Sequence, residues 1–137
     1  MHGYAQTCLQ LFNQLIELGY LASDLGQVHR CYGVTMRLFP GWYRSSGKTF
    51  VSHLVGTGSI LAAIGQPAPV VAAGILHAAY TNGDFGDGLS WTTPRRRRKL
   101  ARDAGEEVEG YVAAYTGLSW NPKKTSLKAA VKVELAQ

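Results

Sequence analysis

Residues 67–80, PAPVVAAGILHAAY, are apolar almost all round. A helix without a polar face has to be covered on every side. This stretch therefore predicts the buried central helix of an α-helical domain. Gly65-Gln66-Pro67 punctuates its start: glycine suits the left-handed cap of a preceding helix, and proline opens the next one. The preceding helix is predicted over about residues 46–64. Ser45 and Ser46 can cap it, and Phe50, Leu54, Leu61 and Ile64 recur at helical spacing, with Val51 and Val55 widening the stripe. The two helices carry two of the four histidines, His53 and His77. A polar, glycine-rich loop, residues 81–90, follows His77 and is expected to be exposed.

The flanking segments read as helices too. Over residues 4–18, Leu11, Leu15 and Leu18 form one face, with Cys8, Phe12 and Ile16 beside it, until Gly19. Over residues 21–39, Leu25, Val28, Tyr32, Met36 and Phe39 recur at spacings of three and four, although Gly33 weakens the pattern. Thr92-Thr93-Pro94 is a helix start, leading into residues 95–103. After Ala104-Gly105, residues 106–115 place Glu106, Glu107 and Glu109 at the positive end of a helix, with Val108, Val112 and Tyr115 on its apolar edge. Asn121-Pro122 opens a last helix with Leu127, Ala130, Val131 and Leu135 inward. It has no stop signal, so the native chain is expected to continue past Gln137. No strand pattern or repeat is present. The expected class is all-α, a single domain over residues 1–137 built as a bundle of about six to seven helices.

A hydrophobic fraction of 46% against 17% charged is that of a globular chain. No stretch approaches the ~20 apolar residues of a membrane span. The N-terminus lacks a basic start and is broken by Gln10, Asn13, Gln14 and Glu17, so no signal peptide is read and a cytoplasmic protein without membrane contact is expected. Cys8 and Cys31 lack metal-like spacing and read as buried thiols. The net charge of +5 favours an anionic partner. Much of it comes from residues 95–99, RRRRK, which on a helix would cover all faces. They have no interleaved aromatics to stack bases, so a solvated helix start is read and nucleic acid is disfavoured. Residues 41–49, GWYRSSGKT, imitate a phosphate-binding P-loop. The spacing is one residue too long and no strand precedes it.

Arg44-Ser45-Ser46-Gly47 followed by His53 resembles the start of the HD domain in the RelA/SpoT-type guanosine-tetraphosphate hydrolases. Ala72-Ala73-Gly74-Ile75-Leu76-His77 resembles that family's alanine-rich Leu-His-Asp signature. Residues 105–112, GEEVEGYV, with Thr116-Gly117-Leu118, resemble the helix that follows, and residues 133–136, VELA, the helix of the last metal ligand. The resemblance covers roughly residues 28–137 and extends to uncharacterised HD-like proteins. It implies an HD-like helical fold in which a His, a His-Asp pair and a distant Asp hold a divalent metal that activates water.

By the same resemblance, His53 and His77 take the first two ligand positions. Ala78 replaces the aspartate, the last ligand falls at or near Gln137, and the family's acidic pair maps to Thr81 and Asn82. Two imidazoles without carboxylates suit manganese or magnesium poorly. A metal (manganese, iron or zinc) on His53 and His77 would need Asp84 or Asp87 to swing in. Arg44, at a position that contacts nucleotide in the family, is a candidate anion ligand, with Lys48 and Asn82 beside it. Trp42, Tyr43 and Trp91 flank the expected pocket.

Three functions follow. The first is a degenerate HD domain binding a small anionic, nucleotide-like or phosphorylated ligand. The second is a working hydrolase with a reorganised site of His53, His77 and Asp84 or Asp87. The third is a basic helical module for nucleic acid or scaffolding. The missing carboxylates argue against hydrolysis of guanosine tetraphosphate itself.

Overall fold

The computed structural model describes residues 3–39, 49–89 and 91–117. Among them are seven helices and no strand: α1 (Cys8–Glu17), α2 (Ala22–Leu38), α3 (Phe50–Ala63), α4 (Ala68–Ile75), α5 (Ala79–Asn82), α6 (Pro94–Ala104) and α7 (Glu106–Thr116). The all-α expectation holds. The helix expected from Asn121, together with Pro40, Trp42, Tyr43, Arg44, Ser45, Ser46, Lys48 and Gln137, lies outside the described residues.

Helix α4 is the centre, as its composition requires. Ala68 and every residue from Val70 to Ile75 are buried, and α2, α3 and α7 pack round it. Its crossing with α3 is made by two glycines. A Cβ on Gly58 would stand 2.8 Å from Ile75 Cγ1 and 3.4 Å from the Val71 carbonyl, and one on Gly74 would overlap Leu61 Cδ1. A side chain at Gly58 would hold the two backbones apart, and with them the two histidines, whereas one at Gly74 would first displace the end of Leu61.

The predicted caps are partly right. Thr93 accepts from Arg96 N–H and Pro94 stands at the first helical position. Thr49, rather than the serines before it, caps α3 by accepting from Ser52 N–H, so that helix starts four residues later than expected. Thr7 caps α1, which shortens it in the same way. Several positions taken as inward face water: Ile16, Leu18, Met36 and Ile64 are all exposed. On α2 the expected Val28 is buried, as is Phe39 just after the helix, Leu25 and Tyr32 pack against the core, and the stripe is completed by Cys31, Val34, Thr35 and Leu38 in place of Met36. Cys31 is a free, buried thiol whose pKa burial raises to about 11, so it stays protonated, and Cys8 is free and half-buried.

The larger difference lies at residues 76–78. The single helix expected over residues 67–80 stops at Ile75 and restarts as the short α5. Gly74 O, which the next helical turn would use, accepts instead from His77 Nδ1 at 2.7 Å and from His77 N–H at 3.5 Å. A side chain that competes for a ladder carbonyl breaks the ladder.

No helix of the described residues is long and apolar enough to cross a membrane.

Candidate functional site

The break after α4 turns His77 towards α3. His53, one turn into α3, meets it edge to face with ring centroids 5.4 Å apart. A chain of rings runs through the pair. Phe39 stacks on Phe50 (5.2 Å), Phe50 meets His53 (6.0 Å), and His77 meets Tyr115 of α7 (5.3 Å). A cavity of about 310 Å³ opens on the pair, walled by Phe50, Ala78, Thr81, Asn82, Trp91, Tyr115 and Thr116. Aromatic walls with a few convergent polar groups are the usual make-up of a small-molecule site.

Gly74 O is a carbonyl and only accepts, so His77 Nδ1 carries a proton. The neutral ring then has its lone pair at Nε2. Such a backbone contact fixes ring orientation and tautomer together. The Thr81 hydroxyl donates to Ala78 O at 3.2 Å and to Asn82 Oδ1 at 2.8 Å, which leaves the Asn82 amide nitrogen as a donor at the cavity wall, with aromatic faces for a flat ligand.

The sequence-based candidates divide. His53, His77 and Asn82 converge on this cavity, as do Ala78 and Thr81 and the aromatic Trp91. Arg44 and Lys48 lie outside the described residues. Asp84 does not join the histidines. Its carboxylate accepts from Gly86 N–H at 2.8 Å, and it lines a separate hollow with Arg37, Lys99 and Asp103. Asp87 is committed to Arg96. Among the described residues no group of three or more His, Cys, Asp or Glu side chains is placed to hold a metal. Two imidazoles and no carboxylate do not fit the oxygen-preferring cation that the HD resemblance implies.

Arg96 was missed as a structural residue. Expected as part of a solvated run, it is 2% exposed. Its guanidinium forks onto Asp87 with two contacts of 2.9 Å and donates to the carbonyls of Leu89 (2.5 Å) and Trp91 (3.0 Å). It also lies 4.5 Å over the ring of Phe85, which stacks on buried Tyr80. One side chain thus holds residues 85–91 in place. The signal was legible as periodicity: 96, 100 and 104 share a helical stripe, and Leu100 and Ala104 are core residues.

The hold matters because Trp91, a wall of the cavity, has a left-handed backbone, φ 68°. That conformation costs a non-glycine residue roughly 1–2 kcal/mol. Two backbone bonds sustain it: Trp91 N–H donates to Tyr80 O at 3.0 Å, and Trp91 O accepts from Arg96.

The Arg96 fork and, after it, the Leu89 N–H lower the Asp87 pKa from 3.8 to about 2. A depressed carboxyl stabilises the fold above its unfolded value and loses that contribution as pH falls through the folded one. The melting-temperature gap between wild type and Asp87→Asn is therefore expected to be full at pH 5 and to close between about pH 4 and pH 2. A gap constant over that range would mean that the carboxylate charge does not hold the loop.

Residues 37–119 match the family model described as Domain of unknown function (DUF6817). A GTP pyrophosphokinase from Streptomyces coelicolor is 33% identical over 96 residues, which make up 70% of this chain and 10% of that protein. The chain thus spans about a tenth of the length of this curated relative.

Proposed function

We infer, for a chain that belongs to the DUF6817 family, that the His53–His77 cavity is a binding site for a small phosphorylated, nucleotide-like ligand on a degenerate HD-type domain. The observation that carries this reading is the convergence of the two histidines at 5.4 Å with Ala78, Thr81 and Asn82 round them. These are the positions that an HD-type hydrolase would fill with ligands and acid–base carboxylates. Ala78, Thr81 and Asn82 carry no charge, so the repulsion that carboxylates would exert on a phosphate is absent, as are the oxygen ligands that metal chemistry would need. Phe50, Trp91 and Tyr115 supply faces on which a base can stack. The relative that bears the name GTP pyrophosphokinase makes guanine nucleotides the first class to try.

Titration calorimetry with GTP, GDP and guanosine tetraphosphate tests this directly. At least one nucleotide is expected to bind the wild type. His77→Phe, which keeps the ring but loses both nitrogens, is expected to weaken binding about tenfold or more, about 1.4 kcal/mol. Circular dichroism reports whether the variant stays folded, and His53→Ala is the second variant. No binding by any of the three, or binding indifferent to both substitutions, would sink the reading.

A second reading is metal-free hydrolysis at the same pair. The observation in its favour is that the bond from Nδ1 to Gly74 O fixes the His77 ring beside a second imidazole, the residue type best suited to proton transfer near neutral pH. Phosphate release from a bound nucleotide, abolished in His77→Phe, would separate it from simple binding.

A further inference from the structure

The run RRRRK at residues 95–99 is sorted by the fold into three fates. Arg96 turns inward to Asp87. Arg97 pairs with Glu109, a buried carboxylate on α7, at 2.5 Å. The remaining cations, Arg95, Arg98 and Lys99, join Arg102 along one side of α6. Their spacing of i, i+3, i+4 and i+7 is that of one helical face, so the expectation that the cations cover all faces is corrected. They line a groove of about 730 Å³, whose other wall is Phe85, Gly86 and Asp87. An adjoining hollow, sharing Phe85 and Lys99, adds Arg37 of α2.

Of the carboxylates lining the groove and the adjoining hollow, Asp84 accepts from Gly86 N–H and two are taken by cations. Asp87 is taken by Arg96 and Asp103 by Lys99 at 3.4 Å. Among the described residues, Arg95, Arg98 and Arg102 make no ion pair. All three are exposed at the surface, yet set in a concavity.

We propose that this α6 groove is a docking surface for the phosphate backbone of a single-stranded nucleic acid, read without regard to sequence. Guanidinium groups match phosphate oxygens in a two-pronged geometry that a lone ammonium cannot. Residues 95 to 102 cover about 10 Å of helix axis, over which a strand in helical geometry presents about three phosphates, one for each unpaired arginine. A protein partner would meet an apolar centre in the interface. The groove offers one aromatic ring, Phe85, and that ring is already sandwiched between Arg96 and Tyr80. A bilayer favours a helix that can bury an apolar face among the acyl chains, but the apolar face of α6, Leu100 and Ala104, is spent on the core.

The test is fluorescence anisotropy of a labelled oligoadenosine RNA of about 20 nucleotides, whose stacked bases keep the strand helical, against the full chain, read as a function of salt. Binding is expected, with a log–log salt slope of about −2 for three phosphates, a loss of about 20-fold between about 50 and about 200 mM salt. Arg95→Gln/Arg98→Gln/Arg102→Gln is expected to remove most of this binding and flatten the slope. Its helix content is checked by circular dichroism. Should the triple variant misfold, Arg98→Gln and Arg102→Gln singly are each expected to lower the slope by about 0.7. Failure of the wild type to bind, binding unchanged by the arginine substitutions, or retention on phosphatidylserine vesicles but not on RNA would each overturn the proposal.

Discussion

Arg96→Ala is expected to unfold the segment from Phe85 to Trp91 and to destabilise the whole domain by about 3 kcal/mol, because a buried guanidinium and several of its hydrogen bonds are lost together. The carbonyls of Leu89 and Trp91 would lose their donor, and Asp87 its fork. The ring pair Tyr80–Phe85 would lose its cationic lid. Trp91, left in a strained backbone with one of its two tethers gone, should relax, and the histidine cavity should lose a wall. Arg96→Lys is not expected to rescue: an ammonium group is a point donor and cannot grip a carboxylate and two carbonyls in one plane. Urea unfolding measures the global cost. Hydrogen exchange at the Leu89 and Trp91 amides measures the local one. Unchanged unfolding in Arg96→Ala would show that the loop is held by something other than this side chain.

Gly58→Val is the second large effect, expected at about 3 kcal/mol of destabilisation from overpacking. The added Cβ would stand 2.8 Å from Ile75 Cγ1, close to the stem of a fully buried side chain, and 3.4 Å from the Val71 backbone. Neither can move without displacing α4. Gly74→Ala is the informative control. Its Cβ meets the far end of Leu61, which is only partly buried, so the obstruction can rotate away and the cost should be clearly smaller. Because α3 carries His53 and α4 leads into His77, Gly58→Val should also disturb the His53–His77 cavity, and with it the nucleotide binding proposed there, more than Gly74→Ala does. Equal stability of the two variants in thermal unfolding would contradict a tight glycine-lined crossing.

The chain's alphabet determined more of this protein than its helix ends. An apolar segment with no polar face can only be central, and α4 is; Thr93-Pro94 and the acidic turn at Glu106 placed α6 and α7 because capping and dipole effects act within a few residues. The pairing of His53 with His77 was legible through resemblance. Three things needed the third dimension. The helix stop at Ile75 depends on His77 reaching back to Gly74, a contest between side chain and main chain that no propensity records. The separation of Asp84 and Asp87 from the histidines depends on where a loop is anchored, and its anchor is a residue nine positions further on. The fates of Arg95, Arg96 and Arg97 are indistinguishable in sequence, since charge alone does not say which face is buried. Packing decided: one arginine met a carboxylate and a ring inside, one met Glu109, and the others were left in water on a single face. Local chemistry fixes what depends on near neighbours, while desolvation and long-range pairing fix the rest, and those exist only once the helices have closed on α4.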